Sequence, residues 1–560
     1  MKKGQTHKRT GESILFLAAA VLTVFFCFWR LGADKILGFD EGRHAVNALE
    51  MYRSGEWIVS TYNGEADYFN LKPPLSMYLI MAGFRLFGVN NLGIRFFSAL
   101  CYLLMAVLAA VFVARRKGWS AGAFTLLLFG SSRVLLLNSM ARKGEANAVY
   151  NLCFLVAMLS LMRLLERKAS GRENGAERKR RPDGKMTRGG EGLPECLGIG
   201  LGCSLAFLSK SFHAAVAVLV VGLTLCIAAF LQSRRQTETV KQNKTAEPDG
   251  AGRGLLGVAE WFTLVLSGIG PVAFWAVLRY RVDGLSFLKE MFLTDVWKRS
   301  NEVIAGTAGG PFHYVGCLMR ENTTLLTLFL LGMLVVFRLY TGEERKEKAG
   351  RTESTGRFSR LLSGSGREIV LFLWVILPLV LFAFPKTKMI TYVYPSFTGL
   401  YVCAGFILPK LWHQKKDNIM RFVCGAWLCF AAVLLVTNIG NLVKTISAEE
   451  PDAFERFVEK EGALFAGNGN VYHTAQNAHM GNVWYQDELL TMEIATTLHC
   501  KDGGIEAYRK DPGECYLIVN IGWSFQSAEE VKEGADGRTV CRDEEFWVLK
   551  KEGNGYVLKK

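Results

Sequence analysis

The sequence contains no CxxC pair and no Cys/His cluster with zinc-ligand spacing, so the common structural zinc modules are excluded. It is also sparing with charge: only 21% of its 560 residues are Asp, Glu, Lys or Arg. After about residue 445 it lacks any apolar block long enough to cross a bilayer, although such blocks recur throughout the part before. No small-residue cleavage site precedes Asp34, so the apolar run from Ile14 to Trp29 is expected to be a retained first helix and not a removed leader. No internal repeat relates one half of the chain to the other, as many transporters would show.

What charge there is leans positive, to a net +15. Its placement excludes a nucleic-acid partner. The cations border apolar segments, at Arg115-Arg116-Lys117, Arg178 to Arg181, Arg234-Arg235 and Arg345 to Lys348, which is how a membrane protein marks its cytoplasmic side. The expected spans lie near 14–29, 93–113, 119–138, 147–165, 196–209, 212–231, 258–279, 312–339, 368–385, 392–409 and 420–440. With residue 1 in the cytoplasm, alternation puts the basic loops at 114–118, 166–195, 232–257, 340–367 and 410–419 all inside. A spanning helix satisfies its own backbone, so the fold class expected is an all-α polytopic bundle of about eleven transmembrane helices. The chain divides into a membrane domain, 1–445, with an external loop at 30–92, and a small extracytoplasmic α/β domain, 446–560. In that tail, Cys515–Asn520 and Phe546–Leu549 read as strands and Pro451–Glu459 as a helix. Most cysteines sit in apolar blocks as small hydrophobes. Cys500, Cys515 and Cys541 form an odd set, from which at most one disulfide could be made.

Chemistry concentrates in the outer loops. Gly38-Phe-Asp-Glu-Gly-Arg-His44 puts Asp40, Glu41 and Arg43 within one helical turn. That is either a carboxylate that takes a proton beside a cation that holds a phosphate, or an ordinary acidic helix start. Lys72 precedes Pro73-Pro74, which stiffen the chain and fix the lysine at headgroup depth; a lysine merely snorkelling there is the plainer alternative. Lys210 and His213 form another external basic pair. Asp295, Lys298 and Arg299, then His313 and Tyr314, crowd a later loop, and Lys388 with Tyr392 follows in Pro385–Pro395. Cations on the outer side run against the usual charge bias and suit an anionic ligand.

These residues resemble a family. Asp40-Glu-x-Arg43, Glu50-Met51, Gly55-x-Trp57, Asn63-Gly64, Tyr68, Lys72-Pro-Pro-Leu75, Phe87-Gly88 and Arg95 are similar to the first external loop of family 39 glycosyltransferases. These comprise the protein O-mannosyltransferases and the bacterial transferases of 4-amino-4-deoxyarabinose to lipid A. Leu208-x-Lys210 and Lys388-x-x-x-Tyr392-x-x-Pro395 resemble later motifs, and the likeness runs from about residue 12 to 440. It implies the GT-C fold, a polyprenyl-phosphate sugar donor, inversion at the anomeric carbon, an acceptor in the cell envelope and a bacterial plasma-membrane location. It marks Asp40 as general base or acceptor-orienting carboxylate, with Glu41 and Glu145 as further catalytic carboxylates. Arg43, Lys72, Lys210, Lys388 and Tyr392 are expected round the donor phosphate. Tyr68, Arg142, Asn147 and His313 are expected to meet acceptor or sugar.

Two departures stand out. Asn147 occupies the place of the family's second-loop Asp, with Glu145 two positions earlier, so Glu145 is expected to substitute for it or a different acceptor is served. Leu71 stands where the aminoarabinose branch has an acid linked to metal binding; a divalent metal is otherwise compatible with the resemblance. The readings left beside a transferase are a flippase of lipid-linked sugars, an inactive relative, and a sensor whose tail binds wall material.

Overall fold

The fold is given by a computed structural model, which describes residues 2–178, 192–242, 255–303, 307–321, 366–413, 418–465, 469–474, 484–496, 500–521, 537–542 and 544–551. The first helix, α1 (Lys2–Phe28), crosses with its apolar half. In the outer loop that follows, α2 (Asp40–Ser54) starts on two acids, which suit the positive end of a helix dipole, and stops at Gly55 in the left-handed conformation. A small hairpin joins β1 (Thr61–Tyr62) to β2 (Glu65–Ala66). Pro73-Pro74 cannot donate to a preceding turn, so α3 (Leu75–Phe87) begins directly behind them. It returns through Gly88 into α4 (Asn91–Lys117), where the Asn90 side chain caps Gly93 N–H at 2.9 Å. Gly83 and Gly93 let these two helices cross in contact, since a Cβ on Gly83 would lie 1.9 Å from the Gly93 carbonyl oxygen.

The bundle continues with α5 (Trp119–Gly130), α6 (Arg133–Leu137), α7 (Asn147–Arg178), α8 (Leu193–Lys210), α9 (Ala215–Gln242) and α10 (Val258–Asp283). Short α11 (Ser286–Phe292) passes through a π-helical turn, Leu293–Lys298, into α12 (Arg299–Asn301). After β3 (Thr307–Ala308) come α13 (Arg367–Ala383), β4 (Thr387–Lys388), α14 (Tyr394–His413) and α15 (Asn418–Ser447). The break expected between residues 208 and 213 is present: α8 ends at Lys210, a 3₁₀ turn occupies Ser211–Ala214, and α9 leaves on different neighbours. Among the described residues, seven helical segments are long and apolar enough to cross a membrane, and one of them, Leu193–Arg234, contains both α8 and α9. At 12 and 17 residues, α5 and α13 fall below that length. The expected span 312–339 lies largely outside the described residues, as does most of the loop 340–367. The chain is a multi-pass membrane protein, with seven such spans among the described residues where the sequence predicts eleven.

Ion pairs sort the bundle into two ends. Arg116 and Arg367 both reach Glu166, Arg167 meets Glu195, and Lys168 meets Glu260. These are the basic-loop ends of α4, α7, α8, α10 and α13. The opposite ends carry Asp40, Lys72, Lys210 and Tyr392. Helix α14 is central, with its span Ile390–Pro409 89% buried, whereas the spans in α10 and α15 are 11% buried and face outward.

The tail begins beyond α15. It contains α16 (Ala453–Glu461), α17 (Gln486–Ala495), α18 (Gly504–Lys510) and a sheet of β5 (Asn470–Thr474), β6 (Cys515–Asn520), β7 (Arg538–Arg542) and β8 (Phe546–Lys551). The order is β5-β6-β8-β7, with β5 parallel to β6 and the other pairs antiparallel. Both strand-like runs of the sequence are strands in this sheet. Cys500 and Cys515 are buried on opposite faces of it and form no disulfide. One face joins α16 and α17 to α2 and α3 in a shared core of Leu49, Ile80, Phe454, Trp484 and Leu489. The tail therefore lies directly on the outer loop.

Candidate active site

The ends of α2, α7, α8 and α14 away from the basic loops converge on Asp40. Its side chain is 43% exposed, and its carboxylate lies 3.6 Å from Lys72 Nζ. Lys72 holds the carboxyl well below the usual carboxylate range, and the positive charges of Lys210 and Arg299 act in the same direction. Asp40 is thus ionised and open to a small molecule, yet ringed by cations. His44, one turn along α2, has Nδ1 2.6 Å from the Asp40 carbonyl oxygen. A carbonyl only accepts, so Nδ1 carries the proton and Nε2 is a bare acceptor. That Nε2 is buried without a partner. Burial, then Lys72, pushes the imidazole down to about 3, so it is neutral.

Across the site, Asn147 opens α7 and organises three groups. Its amide nitrogen donates to the Ser139 carbonyl at 2.6 Å and to Glu145 Oε2 at 2.8 Å, and its oxygen accepts from Lys210 Nζ. The Lys210 ammonium also lies 5.8 Å from the ring centroids of Tyr150 and Tyr392. Burial, with Asp40 and Glu41 nearby, pushes the Glu145 carboxyl up to about 8, which keeps it protonated at neutral pH. The site thus contains one ionised carboxylate, Asp40, and one neutral acid, Glu145. A narrow crevice lined by Ser76, Leu79, Ile80, Ile94, Phe97 and Ser98 reaches Glu145 from between α3 and α4.

The third wall comes from the π-helical turn. Asp295 accepts from Ser211 Oγ at 2.7 Å and from Arg299 Nε at 3.3 Å, and Arg299 donates to the Tyr392 hydroxyl at 3.1 Å. Backbone strain gathers at the same place. Phe39, just before Asp40, has φ 62° and ψ −112°; Ser211, just after Lys210, has φ 55° and ψ −138°; Ser139, whose carbonyl takes Asn147, has φ 55°. Such conformations suit glycine and persist in other residues only when their surroundings impose them.

Several expected site residues are used elsewhere. Glu41 is fully buried, paired with Arg95 Nε at 2.7 Å and bonded to Leu37 N–H and Gly144 N–H at 2.9 Å. Burial pushes its carboxyl up, but Arg95 and Lys143 more than offset this and bring it to about 2. Arg43 forms a two-pronged pair with Asp67 at 2.8 and 2.9 Å, with Tyr62 and Phe69 over its guanidinium plane. Arg142 braces the end of α1 through the Trp29 carbonyl at 2.8 Å and pairs with Glu449. Lys388 is buried and closes α13 by donating to the Phe382 and Ala383 carbonyls at 2.9 and 2.7 Å. Tyr68 is bonded to Asp283 at 2.8 Å. His313 stacks edge-on against Tyr314 with its ring near Cys317. The structure brings together Asp40, Lys72, Glu145, Asn147, Lys210 and Tyr392. It adds Arg299 and His44, which the sequence displays only as members of longer charged strings.

The charge pattern does not suit a divalent cation. Lys72, Lys210 and Arg299 already surround Asp40, and Leu71 is buried among Trp275, Phe287 and Met291. Among the described residues no three His, Cys, Asp or Glu side chains are grouped to hold a metal.

Residues 71–172 match the family model for dolichyl-phosphate-mannose-protein mannosyltransferase. Over the full length, the structure superposes on the crystal structure of ArnT from Cupriavidus metallidurans bound to undecaprenyl phosphate, with a TM-score of 0.61, covering 97% of this chain and 98% of that one at 15% identity. The fold is GT-C. The oligosaccharyltransferase of Archaeoglobus fulgidus is also similar, with a TM-score of 0.52 at 11% identity over 92% of this chain and 70% of that one. In sequence, the undecaprenyl phosphate-alpha-4-amino-4-deoxy-L-arabinose arabinosyl transferase of Aeromonas hydrophila is 25% identical across 80% of this chain and 68% of its own length. Its counterpart in Aeromonas salmonicida is 26% identical across 72% of this chain and 62% of its own length. An uncharacterized protein of Aquifex aeolicus is 31% identical, but over 23% of this chain and only 26% of its own length.

Proposed function

We propose that this protein is an inverting glycosyltransferase that moves a sugar from a polyprenyl-phosphate donor to an acceptor hydroxyl or amine of the cell envelope, at the outer face of the bacterial plasma membrane. The observation that carries this reading is Asp40: an accessible, ionised carboxylate set among Lys72, Lys210 and Arg299 at the ends of the helices. A carboxylate alone could bind a cation, and cations alone could bind a phosphate. Together they divide the two tasks of glycosyl transfer.

Asp40 accepts the proton of the acceptor as its oxygen or nitrogen bonds to the anomeric carbon. On the opposite face the bond from that carbon to the phosphate oxygen breaks, and its electron pair leaves with the phosphate. Lys72, Lys210 and Arg299 stabilise the charge that builds there. Neutral Glu145 and the bare Nε2 of His44 supply one donor and one acceptor for sugar hydroxyls. Glu41 positions α2 through Arg95 and takes no part in proton transfer. Arg43, Arg142 and Lys388 hold the outer loops in place and leave the phosphate to the other three cations.

The test is sugar release from a panel of polyprenyl-phosphate sugars by protein in lipid, with a crude envelope fraction as acceptor. Asp40→Asn should lower turnover at least a hundredfold while donor binding persists. Donor bound but never consumed by the wild type, with a competent acceptor present, would point instead to a carrier of lipid-linked sugars.

A further inference from the structure

We infer that the C-terminal domain is a working part of the site: Gln486, at the start of α17, is a positioning residue that holds the Phe39 turn and so aims Asp40. This rests on the role of Asp40 proposed above.

The backbone at Phe39 is held in a conformation that lacks an evident return. Phe39 adopts φ 62° and ψ −112°, a region natural to glycine, yet its ring is 70% exposed and gains little from packing. Whatever fixes this residue acts on its backbone, and the beneficiary is the next residue, Asp40. From the membrane domain, Glu41 Oε2 takes Leu37 N–H at 2.9 Å, and Gly42 N–H reaches the Leu37 carbonyl at 2.9 Å. Arg43 N–H reaches the Phe39 carbonyl at 2.9 Å, and Arg95 holds the Asp34 and Lys35 carbonyls at 2.7 Å. Two further bonds come from the tail. Gln486 Oε1 accepts Phe39 N–H at 3.3 Å, and Glu455 Oε1 accepts Ile36 N–H at 2.8 Å.

Packing says the same. A Cβ on Gly42 would lie 2.9 Å from both Asp487 N and Gln486 C, and one on Gly38 would lie 3.2 Å from Asp487 Oδ1. Both glycines flank Asp40, and both meet the first turn of α17. At the far end of α2, Arg53 donates to the Glu493 carbonyl at 2.5 Å, so the two helices are tied at both ends. A domain serving only as a cap would not need to approach the backbone beside the charged residue this closely.

The experiment uses the full-length protein in lipid. Gln486→Leu removes the acceptor for Phe39 N–H, Gln486→Glu keeps one, and Gly42→Ala separates the two helices. With Gln486→Leu and Gly42→Ala, kcat should fall about tenfold with donor Kd unchanged, and Gln486→Glu should restore most of the loss. A second readout follows from Lys72, which holds the Asp40 carboxyl low. As Asp40 moves away from it, an acid limb absent from the wild-type pH–rate profile should appear in the weakly acidic range. If Gln486→Leu, a change at a half-buried position that the fold should survive, keeps wild-type kcat and pH profile while Asp40→Asn is inactive, the inference is overturned and the proposed function stands. A wild type that turns over no donor overturns both.

Discussion

Glu145 and Asp40 are close enough to influence one another, yet their surroundings drive them to opposite protonation states. Asp40 is paired with Lys72 and remains charged. Glu145 is buried behind it and keeps its proton up to about pH 8. A glutamate whose folded value exceeds the ordinary 4.5 makes the protein lose stability as pH rises from that value towards 8, because over this interval the folded state binds a proton that the unfolded chain has released. Glu145→Gln mimics the neutral form. The variant should melt a few degrees above the wild type at pH 8, and the gap should close by pH 5. If Glu145 works as a hydrogen-bond donor, wild-type turnover should decline above pH 8 while that of the variant does not. A common melting temperature at both pH values would count against a neutral Glu145.

At the scale of elements, two kinds of cation look alike in the sequence and behave differently in the fold. Arg95 is fully buried and its guanidinium is shared between Glu41 and the carbonyls of Leu31, Asp34 and Lys35. Removing one partner of such a pair leaves a buried charge without compensation, at a cost of roughly 3–5 kcal/mol. Arg95→Ala should therefore reduce yield and melting temperature sharply. Lys72→Ala takes away a partly exposed cation whose neighbour can be solvated, so stability should hold while turnover falls. Thermal melts and turnover measured on the pair separate the two roles; equal losses in both assays for Lys72→Ala would remove it from the phosphate site. The same distinction explains why Arg43 and Lys388 were expected at the phosphate and Arg142 at the acceptor or sugar. Their motif positions are visible in the sequence, but Asp67, Glu449 and the end of α13, which engage them, are set by tertiary contacts.

For the whole molecule, sidedness is the property most easily tested. The ion pairs show which helix ends lie together, and the positive-inside bias assigns the Arg116–Glu166 end to the cytoplasm. Cysteines introduced at Glu65 and Lys501 should then react with a charged, impermeant maleimide on intact cells. One at Arg167, whose side chain is 53% exposed at the other end, should react only after permeabilisation. The reverse pattern would invert the topology and move the proposed site to the cytoplasmic face.

The apolar runs, the basic loops, the break near residue 210 and two of the tail's four strands, β6 and β8, were legible in the sequence. Each follows from local causes: the desolvation of backbone within one segment, charge beside a span, or the alternation of a single strand. The residues Asp40, Lys72, Lys210 and Tyr392 were legible as candidates because the short motifs that hold them resemble those of a known family. Tertiary structure alone decided which cations were spoken for by a distant carboxylate or helix end and which remained to meet a ligand. It also decided that Arg299 and His44 join the site, that Glu145 stays neutral, and that a tail more than 400 residues along the chain rests on the turn before Asp40. These outcomes depend on burial and on partners far away in sequence, and electrostatic interaction inside a folded protein is set by distance and solvent access, neither of which a linear spacing contains.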